Sequence, residues 1–294
     1  MIRSIRHGVL LTTWDGSILP LGRDRYNRLK GNSFTMSSAL GEIELQRRLV
    51  TEKKIRYGFD FSQYYHEWYN RTILECLAPS PGHIVLDCGC GTGILLPSLE
   101  KRYRRIVGLD LFIDNLLEAR TFIRRSSLLA GDMAALPVAP QSFDHVICRE
   151  SLHRLPDPRR AFRALFDVLK EGGELIISEP IGDSGLVRFL KTVVKRRTTK
   201  HYKFGEWRYT SRAWIQMAQG AGFQTVRWFN LGYVALPLLG YPDESHVMRY
   251  TPFRMPLARV LLRLDGVMAR IPWISAHSWH AVFHFRKPGS SGSS

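Results

Sequence analysis

The sequence predicts an α/β fold of the doubly wound, Rossmann-like kind. Three observations carry that expectation. From residue 83 onward, short apolar runs alternate with amphipathic stretches. The runs are continuously apolar, as strands are when both faces of a parallel sheet are covered. The first run leads straight into a glycine-rich turn and then a helical pattern, the arrangement that places a ligand at the carboxyl end of the first strand.

The elements follow in chain order. His83–Cys88 (HIVLDC) reads as a buried strand, Gly93–Tyr103 as a helix, Arg105–Leu111 as the second strand and Ile113–Arg125 as the second helix. Leu128–Asp132 and Phe143–Arg149 are the third and fourth strands. A helix over Asp157–Lys170 is expected, capped by Asp157, with Pro158 in its first turn and Gly172-Gly173 behind it. Glu174–Glu179 is the fifth strand. Later come a helix over Ser211–Gly222, a strand over Phe223–Asn230, an amphipathic helix over Phe253–Ile271 and a final strand over Trp279–Lys287. In the Phe253–Ile271 helix, Leu257, Leu261, Leu264 and Met268 form the expected apolar face, with Arg254, Arg259, Arg263 and Arg270 around it.

Ahead of this core, Gly41–Leu77 has a helical pattern with an aromatic centre at Phe59, Phe61, Tyr64, Tyr65, Trp68 and Tyr69, closed by Pro79 and Pro81. Near the start, the Asp15-Gly16 turn signal between short apolar runs predicts a small hairpin within Val9–Leu21. The intervals 181–210 and 231–252 are too long for ordinary connections and read as helical lids. Gly289–Ser294 (GSSGSS) reads as a flexible tail.

The composition, 45% hydrophobic and 23% charged, fits a globular chain with a sizeable core and excludes disordered and collagenous classes. No apolar run reaches the ~18–20 residues that cross a bilayer, and no secretory signal is evident. Cys76, Cys88, Cys90 and Cys148 form no disulfide framework, which fits reduced thiols in a cytoplasmic protein. The charge is the informative quantity. Lys and Arg number 42 against 26 Asp and Glu, a net +16, which favours polyanionic partners.

The turn Cys88-Gly89-Cys90-Gly91-Thr92-Gly93 follows the first strand. Ile94 occupies the place of the last glycine in a G-x-G-x-x-G fingerprint, and no Lys-Ser/Thr pair follows, which excludes a Walker P-loop. Asp87, just ahead of the first glycine, would repel a pyrophosphate but suits an ammonium or sulfonium group. Asp110, at the end of the second strand, can accept both hydroxyls of a ribose. Asp132 and Met133 close the third strand, where an adenine would lie.

VLDCGCGTG, GLD, GDMAALP, FDHVICRESLHRLPDP and LKEGGELIISEP together resemble the blocks of class I S-adenosylmethionine-dependent methyltransferases. They are most similar to the group that includes the quinone-biosynthesis C-methyltransferases and other small-molecule enzymes. The resemblance covers about residues 57–180 strongly and the final strands weakly. It implies a seven-stranded, mostly parallel sheet with an antiparallel last strand. It implies a methyltransferase domain over 57–288 with lids near 181–210 and 231–270, preceded by an extension over 1–56 and followed by the tail 289–294. S-adenosylmethionine is the implied cofactor, with no metal. Asp87, Gly89, Gly91 and Gly93 would face its methionine part, Asp110 with Leu111 the ribose, and Asp132 and Met133 the adenine. Arg149 would also contact it, and an aromatic of the preceding helical segment, Tyr64 or Tyr65, would lie near the sulfonium.

Methyl transfer needs alignment and exclusion of water, and a base where the acceptor must lose a proton. Glu150 and His153, after the fourth strand, are the candidate catalytic groups; each has a structural alternative, Glu150 as a cap and His153 as a packed loop residue. Between residues 188 and 203, Arg188, Lys191, Lys195, Arg196, Arg197, Lys200 and Lys203 alternate with Phe189, Leu190, Val193 and Val194, a basic amphipathic segment. It suits an anionic membrane surface or nucleic acid. The expected acceptor is a lipophilic or aromatic small molecule, with peripheral contact at the cytoplasmic face of the inner membrane. The alternatives are an RNA methyltransferase and a non-catalytic cofactor-binding protein.

Overall fold

The structure, a computed structural model, describes residues 56–187, 189, 209–242 and 246–289. The expected hairpin within 9–21, the stretch 41–55, nearly all of the basic segment 188–203 and the tail 290–294 lie outside the described residues.

Helix α1 (Asp60–Leu74) buries Phe61, Tyr65, Tyr69 and Ile73 at four-residue spacing, with Ser62, His66 and Asn70 beside them. Strand β1 (Ile84–Cys88) is followed by helix α2 (Leu96–Glu100), β2 (Arg105–Asp110), α3 (Ile113–Arg120), β3 (Ser127–Ala130) and β4 (Phe143–Arg149). A 3-10 turn at Leu152–Arg154 leads to α4 (Pro158–Val168), whose N-terminus is capped by the Asp157 carboxylate accepting from Arg159 N. Strand β5 (Leu169–Pro180), α5 (Ser211–Gly220) and β6 (Gln224–Leu231) come next. A π-helical turn (Leu236–Gly240), α6 (Val247–Tyr250), α7 (Arg254–Met268), α8 (Pro272–Ser275) and β7 (His280–Arg286) complete the described chain.

The sheet has seven strands in the order β3-β2-β1-β4-β5-β7-β6. β7 runs antiparallel to both neighbours, and every other pairing is parallel. The chain winds outward from β1 through β2 and β3, then returns to β4 on the other side of β1. That reversal opens a crevice at the carboxyl ends of β1 and β4, where doubly wound folds bind ligands. Alternate residues of each central strand serve opposite faces. Val85, Ile147 and Ile176 join the core under α1, α2 and α7, whereas Leu86, Val146, Cys148 and Ile177 join the core under α4 and α5. All four cysteines are buried, and none forms a disulfide.

Several expected boundaries move, for local reasons. The helix expected from Gly93 starts at Leu96, because Gly93 holds a left-handed φ of 82°. The helix expected to Lys170 stops at Val168, where Leu169 turns extended and pairs with Phe143 at the start of β5. The apolar face assigned to the Phe253–Ile271 helix is corrected: α7 buries Ala258, Leu261, Leu262 and Asp265, while Leu264 is exposed. Asp265 turns inward because its carboxylate accepts the backbone N–H groups of Tyr233, Val234 and Ala235. Three such bonds offset part of the cost of burying one carboxylate, and burial still pushes the Asp265 carboxyl up.

Candidate active site

The site starts at the glycine turn. Gly89, Gly91 and Gly93 have φ of 82°, 55° and 82°, the left-handed region that glycine enters without a Cβ penalty. Gly89 N and Cys90 N donate to Leu109 O of β2 at 2.7 and 2.8 Å, which ties the turn to the next strand. A Cβ on Gly89 would stand 2.5 Å from Ser151 Cβ and 2.8 Å from Met133 Cε. The loops after β3 and β4 therefore press directly on this turn.

Three strand ends supply charge. Asp110 closes β2 and is buried; its Oδ2 accepts from Gly91 N at 2.8 Å, and its Oδ1 from Phe112 N and Asn115 Nδ2 at 2.9 Å each. A carboxylate has about four acceptor positions, so Asp110 is oriented by the turn yet keeps capacity for a hydroxyl. Asp87 in β1 is buried, and its Oδ2 has no hydrogen-bond partner. Burial pushes its carboxyl up to about 7; the Arg149 charge acts against that and the Asp110 charge adds to it. Arg149 closes β4, also buried, with Nε and Nη1 unpartnered.

Arg149 is held from above by α1. Its guanidinium lies over the Tyr69 ring at 4.5 Å, and its Nη2 donates to His66 Nδ1 at 2.6 Å. His66 Nε2 then carries the hydrogen and donates to Gly240 O at 3.2 Å. Burial, reinforced by the Arg149 charge, holds His66 well below its ordinary pKa, so the ring is neutral. Tyr69 in turn bonds Ser178 Oγ of β5 at 2.7 Å and His280 Nδ1 of β7 at 3.1 Å. The helix thus roofs the carboxyl edge through polar contacts.

Glu150 follows Arg149 with a φ of 53°, unusual for a residue with a Cβ. Its Oε2 accepts from Tyr241 Oη at 2.9 Å, and its Oε1 lies 3.7 Å from Arg149 Nη2. Burial opposes its ionisation, but Arg149, then His280 and His66, outweigh that and hold the carboxyl far below the usual carboxylate range. Glu150 is therefore a permanent anion. His153 sits in the 3-10 turn, with Nδ1 2.6 Å from Glu179 Oε2. The same Glu179 carboxylate accepts from Ser151 N and Leu152 N at 3.0 and 2.8 Å. A ring nitrogen facing a carboxylate carries the proton, which leaves Nε2 as the basic nitrogen.

The sequence-predicted residues fall into three sets. Asp87, Gly89, Gly91, Gly93, Asp110, Arg149 and Glu150 meet around the crevice. Leu111 follows Asp110, and Asp132 closes a local turn by accepting from Ala134 N at 2.8 Å, while Met133 reaches Gly89. Tyr65 is fully buried with an unpartnered hydroxyl, its ring beside His66 and Tyr69, whereas Tyr64 is only half-buried. The sequence reading missed His66, Tyr69, Tyr241 and Glu179. Glu179 left a signal, a charged residue after the apolar run Leu175–Ile177 near the carboxyl end of its strand; Tyr241 lies 91 residues from its partner and left none.

A group that carries an ammonium and a carboxylate on one carbon fits what is buried here. Asp87 Oδ2 and the Arg149 Nε and Nη1 are left without hydrogen-bond partners, although Arg149 also meets Glu150 and His66 through Nη2, and an unpaired buried polar atom is costly. Asp110 beside them suits a diol.

Comparisons with known proteins identify the family and the fold. The family described as methyltransferase domain matches residues 86–177. The chain is 32% identical over 186 residues to a demethylmenaquinone methyltransferase of Corynebacterium kroppenstedtii, covering 57% of this chain and 80% of the relative. It is 31% identical over 210 residues to a ubiquinone biosynthesis O-methyltransferase of Chromobacterium violaceum, covering 56% and 86%. Among solved structures, the fold is similar to a phosphoethanolamine N-methyltransferase of Haemonchus contortus in complex with S-adenosyl-L-methionine, with a TM-score of 0.53 and 19% identity, over 75% of this chain and 52% of that one. The cofactor is S-adenosylmethionine, and the chain belongs to the class I S-adenosylmethionine-dependent methyltransferases.

Proposed function

We propose that this methyltransferase acts on a lipophilic or aromatic small molecule, within the single domain 57–288 and at the cytoplasmic side of a membrane. The observation that carries the acceptor class is the wall of the site. Tyr65, Tyr69 and His66 of α1, with Tyr241, gather around Arg149 and Glu150 at the carboxyl edge of the sheet. A ring-lined, water-poor site suits a flat apolar molecule better than a polynucleotide, which needs an open basic groove. The quinone-pathway relatives support the same class. No helix among the described residues is long and apolar enough to cross a membrane.

Roles follow from the geometry. When bound, S-adenosylmethionine supplies an electrophilic methyl group on a sulfonium. Asp87 takes the ammonium of its amino-acid end, Arg149 the carboxylate and Asp110 the ribose hydroxyls. Gly89, Gly91 and Gly93 keep the turn low enough for close approach, Leu111 and Met133 pack beside the nucleoside, and Asp132 accepts from the adenine amino group. Tyr65, with Tyr64 outside it, lines the methyl side. His153, held through Nδ1 by Glu179, removes the acceptor proton at Nε2. Glu150 acts as counter-ion to Arg149, since so acidic a carboxyl is a poor base.

The test is transfer of labelled methyl from the cofactor to alkylated catechols and hydroquinones, with total RNA in parallel. The reading expects label in the phenolic acceptors and none in RNA, with kcat lowered about 10²–10⁴-fold in His153→Gln. Label in RNA alone would replace it with the nucleic-acid reading.

A further inference from the structure

The helix pair α7–α8 presents an apolar stripe to solvent that the fold does not use. Val260, Leu264 and Val267 stand at i, i+4 and i+7, all exposed, on the side of α7 opposite the buried Ala258, Leu261, Leu262 and Asp265. Aromatic rings extend the stripe at both ends: Tyr250 and Phe253 before α7 are 82% and 83% exposed, and Trp273 in α8 is 73% exposed. Phe253 is held outward at a φ of 55°, a strained choice for a bulky residue. Leu186 and Phe189 are exposed as well, and their segment is fastened to this region by the hydrogen bond between Ser184 Oγ and His277 Nδ1 at 2.8 Å. Contiguous exposed apolar surface of this kind marks an interaction site.

The charges beside the stripe define its partner. Arg259 and Arg263 on one flank of α7, and Arg270 just past its end, are exposed and without an ion-pair partner among the described residues. From residue 246 to the end of the chain the one acid is Asp265, and it is buried against backbone N–H groups. A two-fold dimer through this face would bring arginine rows together, and Asp60, the carboxylate that meets α7, is already paired with Arg254 of that helix at 2.9 Å. A row of arginines beside an apolar stripe with Trp, Tyr and Phe at its ends matches the headgroup and acyl boundary of a negatively charged bilayer.

We propose that the α7–α8 face docks on an anionic phospholipid surface. α7 packs on α1, and α1 carries His66 and Tyr69 of the site. The docked face therefore brings the roof of the crevice next to the lipid in which an apolar acceptor would dissolve. In that purpose the inference rests on the lipophilic-acceptor reading; the docking itself needs no acceptor.

The test is flotation of the full chain with vesicles of phosphatidylcholine alone and of phosphatidylcholine with one quarter phosphatidylglycerol. Two variants are compared, Phe253→Ser/Leu264→Ser/Trp273→Ser and Arg259→Gln/Arg263→Gln/Arg270→Gln, each checked for unchanged Tm and cofactor affinity. The wild type is expected to float with the anionic vesicles and release in high salt. Each variant is expected to lose at least tenfold in partitioning, while transfer to a water-soluble acceptor is unchanged. Three results would overturn the docking face: a wild type that stays in solution with both vesicles, variants that float as well as wild type, or a solution dimer that the apolar variant dissolves. None of them bears on methyl transfer, so failure here leaves the acceptor reading standing.

Discussion

Asp87 gives the site a pH dependence that can be measured. Its carboxyl, pushed up to about 7 by burial against the Arg149 attraction, is largely protonated below neutrality until a cation arrives. Cofactor affinity is therefore expected to fall about tenfold per pH unit below about 7, with net proton release on binding at neutral pH. Calorimetry at pH 6 and pH 8 in buffers of different ionisation enthalpy checks this, and Asp87→Asn is expected to flatten the profile. Two glycines separate strain from crowding. Gly172→Ala meets open space and pays only for its φ of 73°, about 1 kcal/mol. Gly89→Ala adds the collision with Ser151 and Met133, so urea denaturation is expected to show a loss of about 2–4 kcal/mol. At this scale the sequence was readable where a residue adjoins a strand end, as Asp87, Asp110 and the glycines do. Arg149 with His66, 83 residues apart, was not, because only the docking of α1 brings them together.

The elements show why periodicity alone misplaced one face. Leu264 continues the apolar row of Leu257 and Leu261 in the sequence, but α7 turns Leu261 inward with Ala258 and Leu262 and leaves Leu264 outside, a rotation that the inward Asp265 fixes. Its three backbone bonds anchor the β6–α7 connection, so Asp265→Ala is expected to cost about 2–4 kcal/mol, seen as a lower urea midpoint with unchanged slope. Asp265→Asn keeps an acceptor and should recover part of that. A second polar cluster sits at the opposite edge of the sheet, where Tyr103 Oη bonds His145 Nδ1 at 2.6 Å and Glu174 faces His145, His284 and Arg286. Burial, with His83 adding to it, lowers His145 to about 4. Between about pH 6.5 and 4 the unfolded chain binds the extra proton, so this contribution is complete above about 6.5 and is lost as pH falls toward 4. Asp87, with its carboxyl raised to about 7, works in the opposite sense over the whole of that range. The wild type is thus expected to lose roughly 2 kcal/mol more than His145→Gln between pH 7 and pH 5 in paired urea titrations. Equal losses would remove His145 from the account.

Across the whole molecule, one topological fact places the chemistry. The chain reverses at β1 and β4, so the first glycine turn, the Asp110 end of β2 and the Arg149 end of β4 open on the same crevice. The succession of strands along the chain was legible because strands covered on both faces are continuously apolar; their order across the sheet was not read from the sequence. The roof was not, because α1 reads as an aromatic helix whose buried polar atoms only tertiary packing reveals. The most direct measurement is titration calorimetry of S-adenosylmethionine and S-adenosylhomocysteine into wild type and Asp110→Ala. The account predicts micromolar binding of both compounds to the wild type, weakened in Asp110→Ala by about 1–3 kcal/mol through the lost hydroxyl bonds. Equal affinity in the two proteins would contradict the placement of the ribose at the end of β2, and with it the orientation of the cofactor in the crevice.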